Sequence, residues 1–318
     1  MHIRVLISGL IFALPAMAAH AQQYPVKPIR MVVPIVAGGS NDILGRLIAD
    51  RLRERWGQPV VVENRAGAGQ MIGADNVAKS APDGYTMLVP TGTYTSSAAM
   101  QPKLTFDPVN DLTGVSMVGE GPFMVTVHPS LPVKNVKELI ALAKARPGEI
   151  NYGTAGTGSI VHFATEVFAD MAKINVVHVP YKSGIPAVTD AVGGHVQLLI
   201  ISMPAVWPQV KAGRMRALAV TSAKRWPFVP ELPAMSEYLP GYAAGQWWGV
   251  LAPSKTPPDI ILKLNAEINR ILSSEEMKPR LAEQGAAAVL MTPDAFSKYV
   301  RDEIAKWRKV VKERKLSP

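Results

Sequence analysis

Two rhythms of apolar residues take turns along this chain, one of strand length and one with helical spacing. Ile29-Arg30-Met31-Val32-Val33 is a short β-branched, apolar run, as a buried strand requires. A glycine-rich turn, Ala37-Gly38-Gly39-Ser40-Asn41, follows it, and then Ile43, Leu44, Leu47, Ile48 and Leu52 recur as one helical stripe. Pro59 to Glu63 reads as the next strand, followed by the loop Gly67 to Gly73 and a helix through Val77. Tyr85 to Val89 is a strand leading into Thr91-Gly92-Thr93. Val115 to Val118 and Phe123 to Val127 read as two strands, and Val136 to Ala145 as a helix stopped by Pro147-Gly148. Short apolar strands follow at 176–179, 196–201 and 216–220, and helices at 258–273 and 293–314. The alternation predicts an α/β fold of largely parallel sheets covered by helices. In such sheets ligands sit outside the carboxyl ends of the strands.

Three strand ends carry candidate chemistry. At 37–41 the glycines permit a sharp turn and close approach to a ligand, and Ser40 is the predicted N-cap. The unpaired N–H groups and partial positive charge of a helix N-terminus favour anions, so this turn reads as half of a carboxylate cradle. An ordinary strand-to-helix connection is the plainer alternative. The stretch Asn151 to Phe163 repeats the arrangement, passing through Thr154-Ala155-Gly156-Thr157-Gly158-Ser159 into a helix with Ile160, Phe163, Ala164, Val167, Phe168 and Met171 at helical spacing. Thr91-Gly92-Thr93 is the third. Two such turns in different halves of the chain suggest two lobes pointing helix N-termini into one cleft. None matches a nucleotide motif: Gly156 and Gly158 are followed by Val161, Gly67-Ala68-Gly69 has its next glycine at 73, and no G-K-[ST] follows a glycine cluster.

Residues 1–21 have the form of a secretory signal. A thin basic start at His2 and Arg4 precedes an apolar run from Val5 to Leu14 and the small-residue site Ala19-His20-Ala21. The run is too short for a stable membrane span; a retained anchor is the alternative. Export to the periplasm with cleavage after Ala21 leaves 297 of the 318 residues and removes Arg4, taking the formal charge from +9 to +8. That length predicts two lobes, and no stretch reads as a flexible linker between them. Strand crossings near Gly119 to Phe123 and near Gln246 to Ala252 divide the chain into 22–121 with 251–318, and 122–250. There is no cysteine, hence no disulfide, lipid attachment site or thiolate metal site. The basic cluster Lys306 to Lys315 is interleaved with Glu313 on a helix also carrying Asp302 and Glu303, which reads as a solvated face and not a nucleic-acid platform.

The residues resemble a known family along essentially the whole mature chain: the periplasmic solute receptors of tripartite tricarboxylate transporters, the Bug family. The matching stretches are Tyr24 to Arg30, Val33-Pro34 through Gly38-Gly39-Ser40 and Asp42, Gln58 to Gly69, and Ala81 to Thr86. They continue with Asn151-Tyr152 through Ala155-Gly156, Gly158-Ser159 and His162, then His178 to Lys182, Lys211 to Thr221 and Trp247 to Pro253. The resemblance implies a two-lobed, periplasmic-binding-protein-like clamshell that needs no cofactor or metal and acts as a monomer. Such receptors capture small organic acids by ligand-driven closure and deliver them to transporter membrane subunits. Carried over by position, Ala37, Gly38, Gly39 and Ser40 grip a ligand carboxylate from lobe one, with Thr91 and Thr93 nearby. Thr154, Ala155, Gly156 and Ser159 do so from lobe two, while His162 faces the ligand or hydrogen-bonds the turn. Asp42 would repel a carboxylate and is read as a loop-ordering residue.

One departure bears on the ligand. Relatives often carry an aromatic and an acidic residue after the strand at 196–199, where this chain has Ile200, Ile201, Ser202 and Met203. Ile201 cannot hold an amine, so an apolar or aromatic carboxylate is expected in preference to an amino acid. Enzyme readings lack a pattern: His128, His162, His178 and His195 fall in no metal spacing, and Ser159 lacks a G-x-S-x-G elbow. A hydrolase built on Ser159 and His162, and a receptor feeding a sensor kinase, are the competing readings.

Overall fold

A computed structural model describes residues 24–314 and Leu316; the signal segment read at 1–21 lies outside the described residues. The elements run β1 (Ile29–Val33), α1 (Ser40–Trp56), β2 (Val60–Asn64), α2 (Met71–Ala78), β3 (Thr86–Leu88), α3 (Gly92–Met100), β4 (Leu112–Val127), α4 (Val136–Ala145), β5 (Asn151–Thr154) and α5 (Ile160–Ala172). They continue with β6 (Val177–Pro180), α6 (Gly184–Val192), β7 (Leu198–Ser202), α7 (Met203–Lys211), β8 (Arg216–Val220), β9 (Gly245–Pro253), α8 (Pro258–Leu272), α9 (Met277–Glu283), β10 (Ala287–Ala288) and α10 (Pro293–Arg314).

The strand order is β2-β1-β3-β9-β4-β7-β5-β6, with β8 and β10 also paired to β4. β1 runs parallel to β2 and β3, and β5 runs parallel to β6 and β7. The long strand β4 belongs to both halves. Its residues Leu112 to Pro122 pair antiparallel with Pro253 to Gly245 of β9, and Phe123 to Val127 pair with β7 and β8. The two strands expected at 115–118 and 123–127 are therefore one continuous strand that passes from the first sheet into the second. The segment Gly119 to Pro122 broke the apolar pattern because it is the crossing itself.

Each sheet is sandwiched by helices, which explains its almost uninterrupted apolar strands. On one face of the first sheet, Ile29, Met31 and Val33 pack with Leu44, Ile48 and Leu52 of α1 and Leu264 and Ile268 of α8. On the other, Val32 and Leu88 pack with Tyr94 of α3 and Phe296, Val300 and Ile304 of α10. Successive tryptophans of β9 serve the two faces: Trp248 joins the first cluster and Trp247 the second, each 1% exposed. In the second sheet α4 and α5 cover one face and α6 and α7 the other. The helix α10 leaves the first lobe with Ile304 and buries Trp307 in the second lobe's core.

Candidate functional site

The turn after β1 is built around one carboxylate. Gly38 sits at φ +86, a left-handed conformation that glycine adopts without strain. This aims its N–H at Asp42 Oδ2, 2.9 Å away. Asp42 also accepts from Arg46, at 3.0 and 3.1 Å, and from Asn64 Nδ2 at 2.9 Å. Burial pushes the Asp42 carboxyl up, but the hydrogen bonds from Arg46, Gly38 and Asn64 outweigh it and hold the group below the usual carboxylate range. The residue capping α1 is Gly39, whose carbonyl accepts from the N–H groups of Asp42 and Ile43. The sequence pattern placed the cap at Ser40; its hydroxyl is instead taken by the Trp248 indole, which donates to Ser40 Oγ at 2.9 Å. With the side chains spent on the frame, the first-turn N–H groups of Ser40 and Asn41 lack intrahelical acceptors. Half-buried Ser40 and buried Asn41 follow the exposed Ala37 and Gly38 in the turn.

Thr91 is clamped from the side. Gln70 Nε2 donates to Thr91 Oγ1 at 2.5 Å, and the Thr91 N–H donates to Gln70 Oε1 at 3.1 Å. Thr93 is half-buried on the first turn of α3. One turn on, Ser96 Oγ donates to the carbonyl of Gly158 at 2.8 Å, a direct bond from the first lobe to the second. Ile160, the first residue of α5, lies 3.3 Å from where a Cβ on Gly92 would stand.

The second turn has the same construction. Ser159 caps α5: its Oγ accepts from the His162 N–H at 3.4 Å and donates to the Gly156 carbonyl at 2.6 Å. Thr154 Oγ1 accepts from the Gly156 N–H at 3.1 Å and lies 2.7 Å from His178 Nε2. His162 turns inward, its Nδ1 accepting from the Gly158 N–H at 3.4 Å and its ring stacked on His178 with centroids 4.2 Å apart. Tyr152 closes the stack on the far side of His178 at 5.0 Å. Burial pushes His162 down to about 4; burial and the neighbouring His162 push His178 down to about 4 as well. Both rings are neutral at pH 7. Half-buried Ala155 and exposed Thr157 carry the turn's outer surface.

A path of contacts joins the two turns. Ser40 meets Trp248, Trp248 bridges to Thr91, Gly92 lies against Ile160, and Ile160 follows Ser159. Ile201 is outside this path. It is 3% exposed, with its Cδ1 against Gly184 under α6, and belongs to the second lobe's core. A cavity of about 260 Å³ lies at the crossing, bordered by Gly121, Pro122, Trp226, Gly245, Gln246 and Trp307, and none of the expected site residues lines it. Sequence reasoning did not single out Asn64, Gln70, Ser96 or His178 as parts of the site. Two of them, Asn64 and His178, sit in stretches quoted for the resemblance, where their type was visible but their partner was not.

Residues 44–316 match the family described as tripartite tricarboxylate transporter family receptor. The chain is 40% identical over 312 residues, 96% of each chain, to protein BugT of Bordetella pertussis. It belongs to this receptor family. Among solved structures, it resembles an R. palustris protein with adipate at a TM-score of 0.86 and 38% identity, covering 93% of this chain and 99% of that one. It also resembles MatC from Rhodopseudomonas palustris with bound malate, at 0.81 and 32%, covering 91% and 100%. The two-lobed α/β clamshell is that of the family's periplasmic receptors.

The polar side chains of both turns are engaged in hydrogen bonds within the fold. Ser159 and His162 do not form a nucleophile–base pair, because the hydroxyl donates to Gly156 and the ring accepts from Gly158. Among the described residues no group of three or more His, Asp or Glu side chains could hold a metal ion, and no helix is long and apolar enough to cross a membrane.

Proposed function

We propose that this receptor captures a small organic carboxylate between its lobes, without catalysing a reaction, and hands it to the membrane subunits of a tripartite tricarboxylate-type transporter. The carrying observation is that both turns spend their side chains on internal hydrogen bonds, while the first-turn N–H groups at Ser40 and Asn41 of α1 and at Ile160 and Val161 of α5 have no intrahelical acceptor and favour an anion. Ala37, Gly38, Gly39 and Ser40 present the first turn. Thr154, Ala155, Gly156 and Ser159 hold or present the second, and Thr91 and Thr93 flank the first. Gly38, Thr154, Ser159 and His162 act as frame; their polar groups are already engaged. The adipate and malate held by the structural relatives support a carboxylate.

The ligand favoured is an apolar or aromatic carboxylate over an amino acid. Asp42, the acidic residue at the first turn, is filled by Gly38, Arg46 and Asn64 and has no oxygen left for an ammonium. The protein is proposed to act as a periplasmic monomer, exported by the segment 1–21 and cleaved after Ala21. Its lobes are 22–121 with 251–318, and 122–250; the pairing of all of β9 with Leu112 to Pro122 supports moving the second boundary back to Gly245. A thermal-shift screen of the mature protein against dicarboxylates, aromatic carboxylates, amides and amino acids tests this reading. A ligand that binds only the folded form must raise Tm. A rise with carboxylates and none with aspartate is expected; tight aspartate binding in calorimetry would reject the ligand preference, and silence from every acid would reject the carboxylate reading.

A further inference from the structure

Helix α3 is tied to the first lobe at three points along its length. Gln70 clamps Thr91 at its start, the Tyr94 hydroxyl donates to the Pro108 carbonyl at 2.7 Å, and Gln101 Nε2, just past its end, donates to the Ala68 carbonyl at 3.0 Å. Tyr94 and Ala98 lie in that lobe's core. Another face of the same helix meets the second lobe's turn at Gly158. Ser96 is wholly buried, with its Oγ 2.8 Å from the Gly158 carbonyl and 3.2 Å from the carbonyl of Thr93. A serine within a helix ordinarily bonds back to its own preceding turn; here the shorter bond leaves the helix and crosses to the other lobe. Ser97 Oγ stands 3.5 Å from the same Gly158 carbonyl. A Cβ on Gly158 would stand 3.0 Å from Met100 Sδ.

The carbonyl that Ser96 holds belongs to the peptide between Gly158 and Ser159. The N–H at the other end of that peptide, on Ser159, donates to the Gly156 carbonyl at 3.2 Å. The peptide plane is thus bonded at both ends, once across the lobes and once within the turn. Its orientation matters because Ser159 caps α5, and the N–H groups of Ile160 and Val161 that follow lack intrahelical acceptors. We propose that Ser96 is a positioning residue: through Gly158 it preorganises, from the first lobe, the turn by which the second lobe holds an anion. A turn already fixed in its binding orientation loses no binding free energy to ordering. The same hydroxyl faces the carbonyl of Thr93, so one side chain sets the second turn's place relative to the first lobe's own site segment.

The inference rests on the carboxylate reading of the preceding section, and two readouts separate them. In the ligand-free protein, amide hydrogen exchange reports on the turn itself. Ser96→Ala is expected to speed exchange about tenfold at Ser159 and His162, whose N–H groups bond within the turn. The amides of β1 in the first lobe should keep their rates, which a general loss of stability would not allow. With adipate as the calorimetric probe, Ser96→Ala should bind about five- to tenfold more weakly. Ser97→Ala, whose contact is longer, is the control and should bind within about twofold of the parent. Ser96→Cys keeps the size of the side chain with a weaker donor. It should fall between Ser96→Ala and the parent in both readouts, and it carries the test if the alanine variant does not fold. Exchange unchanged at Ser159 and His162, or raised only together with β1, would overturn the inference whatever adipate does. So would raised exchange in Ser96→Ala at the parent's adipate affinity. Raised exchange with no adipate binding to any form, the parent included, would support the hold of Ser96 on the turn and count against the ligand class.

Discussion

At the scale of single residues, the two turns are held by side chains whose polar groups bond within the turn, so on the proposed reading the most sensitive side chains are those that frame the backbone donors. Asp42 is one: a single buried carboxylate holds Gly38, Arg46 and Asn64. Asp42→Asn keeps the shape but removes the charge from three donors. Charge-assisted hydrogen bonds are about twice as strong as neutral ones, so the loss expected is about 1–2 kcal/mol in urea unfolding, with weaker carboxylate binding. If binding is unchanged while stability falls, the turn is a structural connection alone. His162 and His178 give the second residue-scale prediction. Their folded-state values of about 4 lie below the ordinary 6.5, so the unfolded chain takes up protons first as pH falls. The stability they contribute is whole above about pH 6.5 and is lost between there and pH 4. The Tm of the parent should therefore drop more steeply over this window than that of His162→Gln or His178→Asn. Parallel curves in all three would show that the two rings take up protons as readily in the folded protein as in the unfolded chain. Glu166, bonded to Tyr152 at the edge of the stack, favours the charged form of His178 and softens this loss without reversing it.

At the scale of elements, the chain's own pattern revealed most of the strands and helices, because the switch between runs of period two and stripes of period 3.6 is a direct image of burial. The helix at 136–145 and the strand at 216–220 fall on the expected residues. The glycine turns were legible for a different reason, since a left-handed backbone at a strand end selects glycine. What stayed hidden has physical causes. β7 is covered on both faces, so Leu198 to Ile201 are all buried and carry no alternation to say which side chain faces a cleft; Ile201 proved to face a helix. The Ser40 cap was misplaced because its hydroxyl is claimed by Trp248, 208 residues away, a tertiary contact no local pattern records. The single strand β4 was hidden by Gly119-Glu120-Gly121-Pro122, which reads as a break. There the backbone must come close to a neighbour: a Cβ on Gly121 would stand 2.1 Å from the carbonyl oxygen of Gly285. Gly121→Ala should push the loop before β10 off the sheet and cost about 1–3 kcal/mol, as overpacking does, measured as a lower urea midpoint at unchanged slope. An unaltered midpoint would mean that this loop yields freely.

At the scale of the whole molecule, two strand crossings, between Pro122 and Phe123 and between Ala244 and Gly245, are joined by a third link, the helix α10. Its early turns place Phe296, Val300 and Ile304 in the first lobe's core, and its later turns place Trp307 against Phe163 of the second, with ring centroids 5.3 Å apart. The Trp307 indole also donates to Glu303 at 3.0 Å, tying the anchor to the turn before it. A helix is stiff along its axis because each turn is bonded to the next, so α10 passes the state of one core to the other. The two lobes should therefore unfold together in the parent, as one calorimetric transition whose measured and van't Hoff enthalpies agree. Trp307→Ala removes a large buried ring from the second core while leaving the first untouched. Its cost, about 3–5 kcal/mol by analogy with other buried aromatics, falls on one lobe, and the link that would share it is cut at the same point. The variant is expected to unfold in two steps, the second lobe first, with a carboxylate ligand drawing the steps back together because it binds both lobes. A single transition, merely shifted down, would show that β4 and β9 alone make the lobes cooperative and that α10 belongs to the first lobe only.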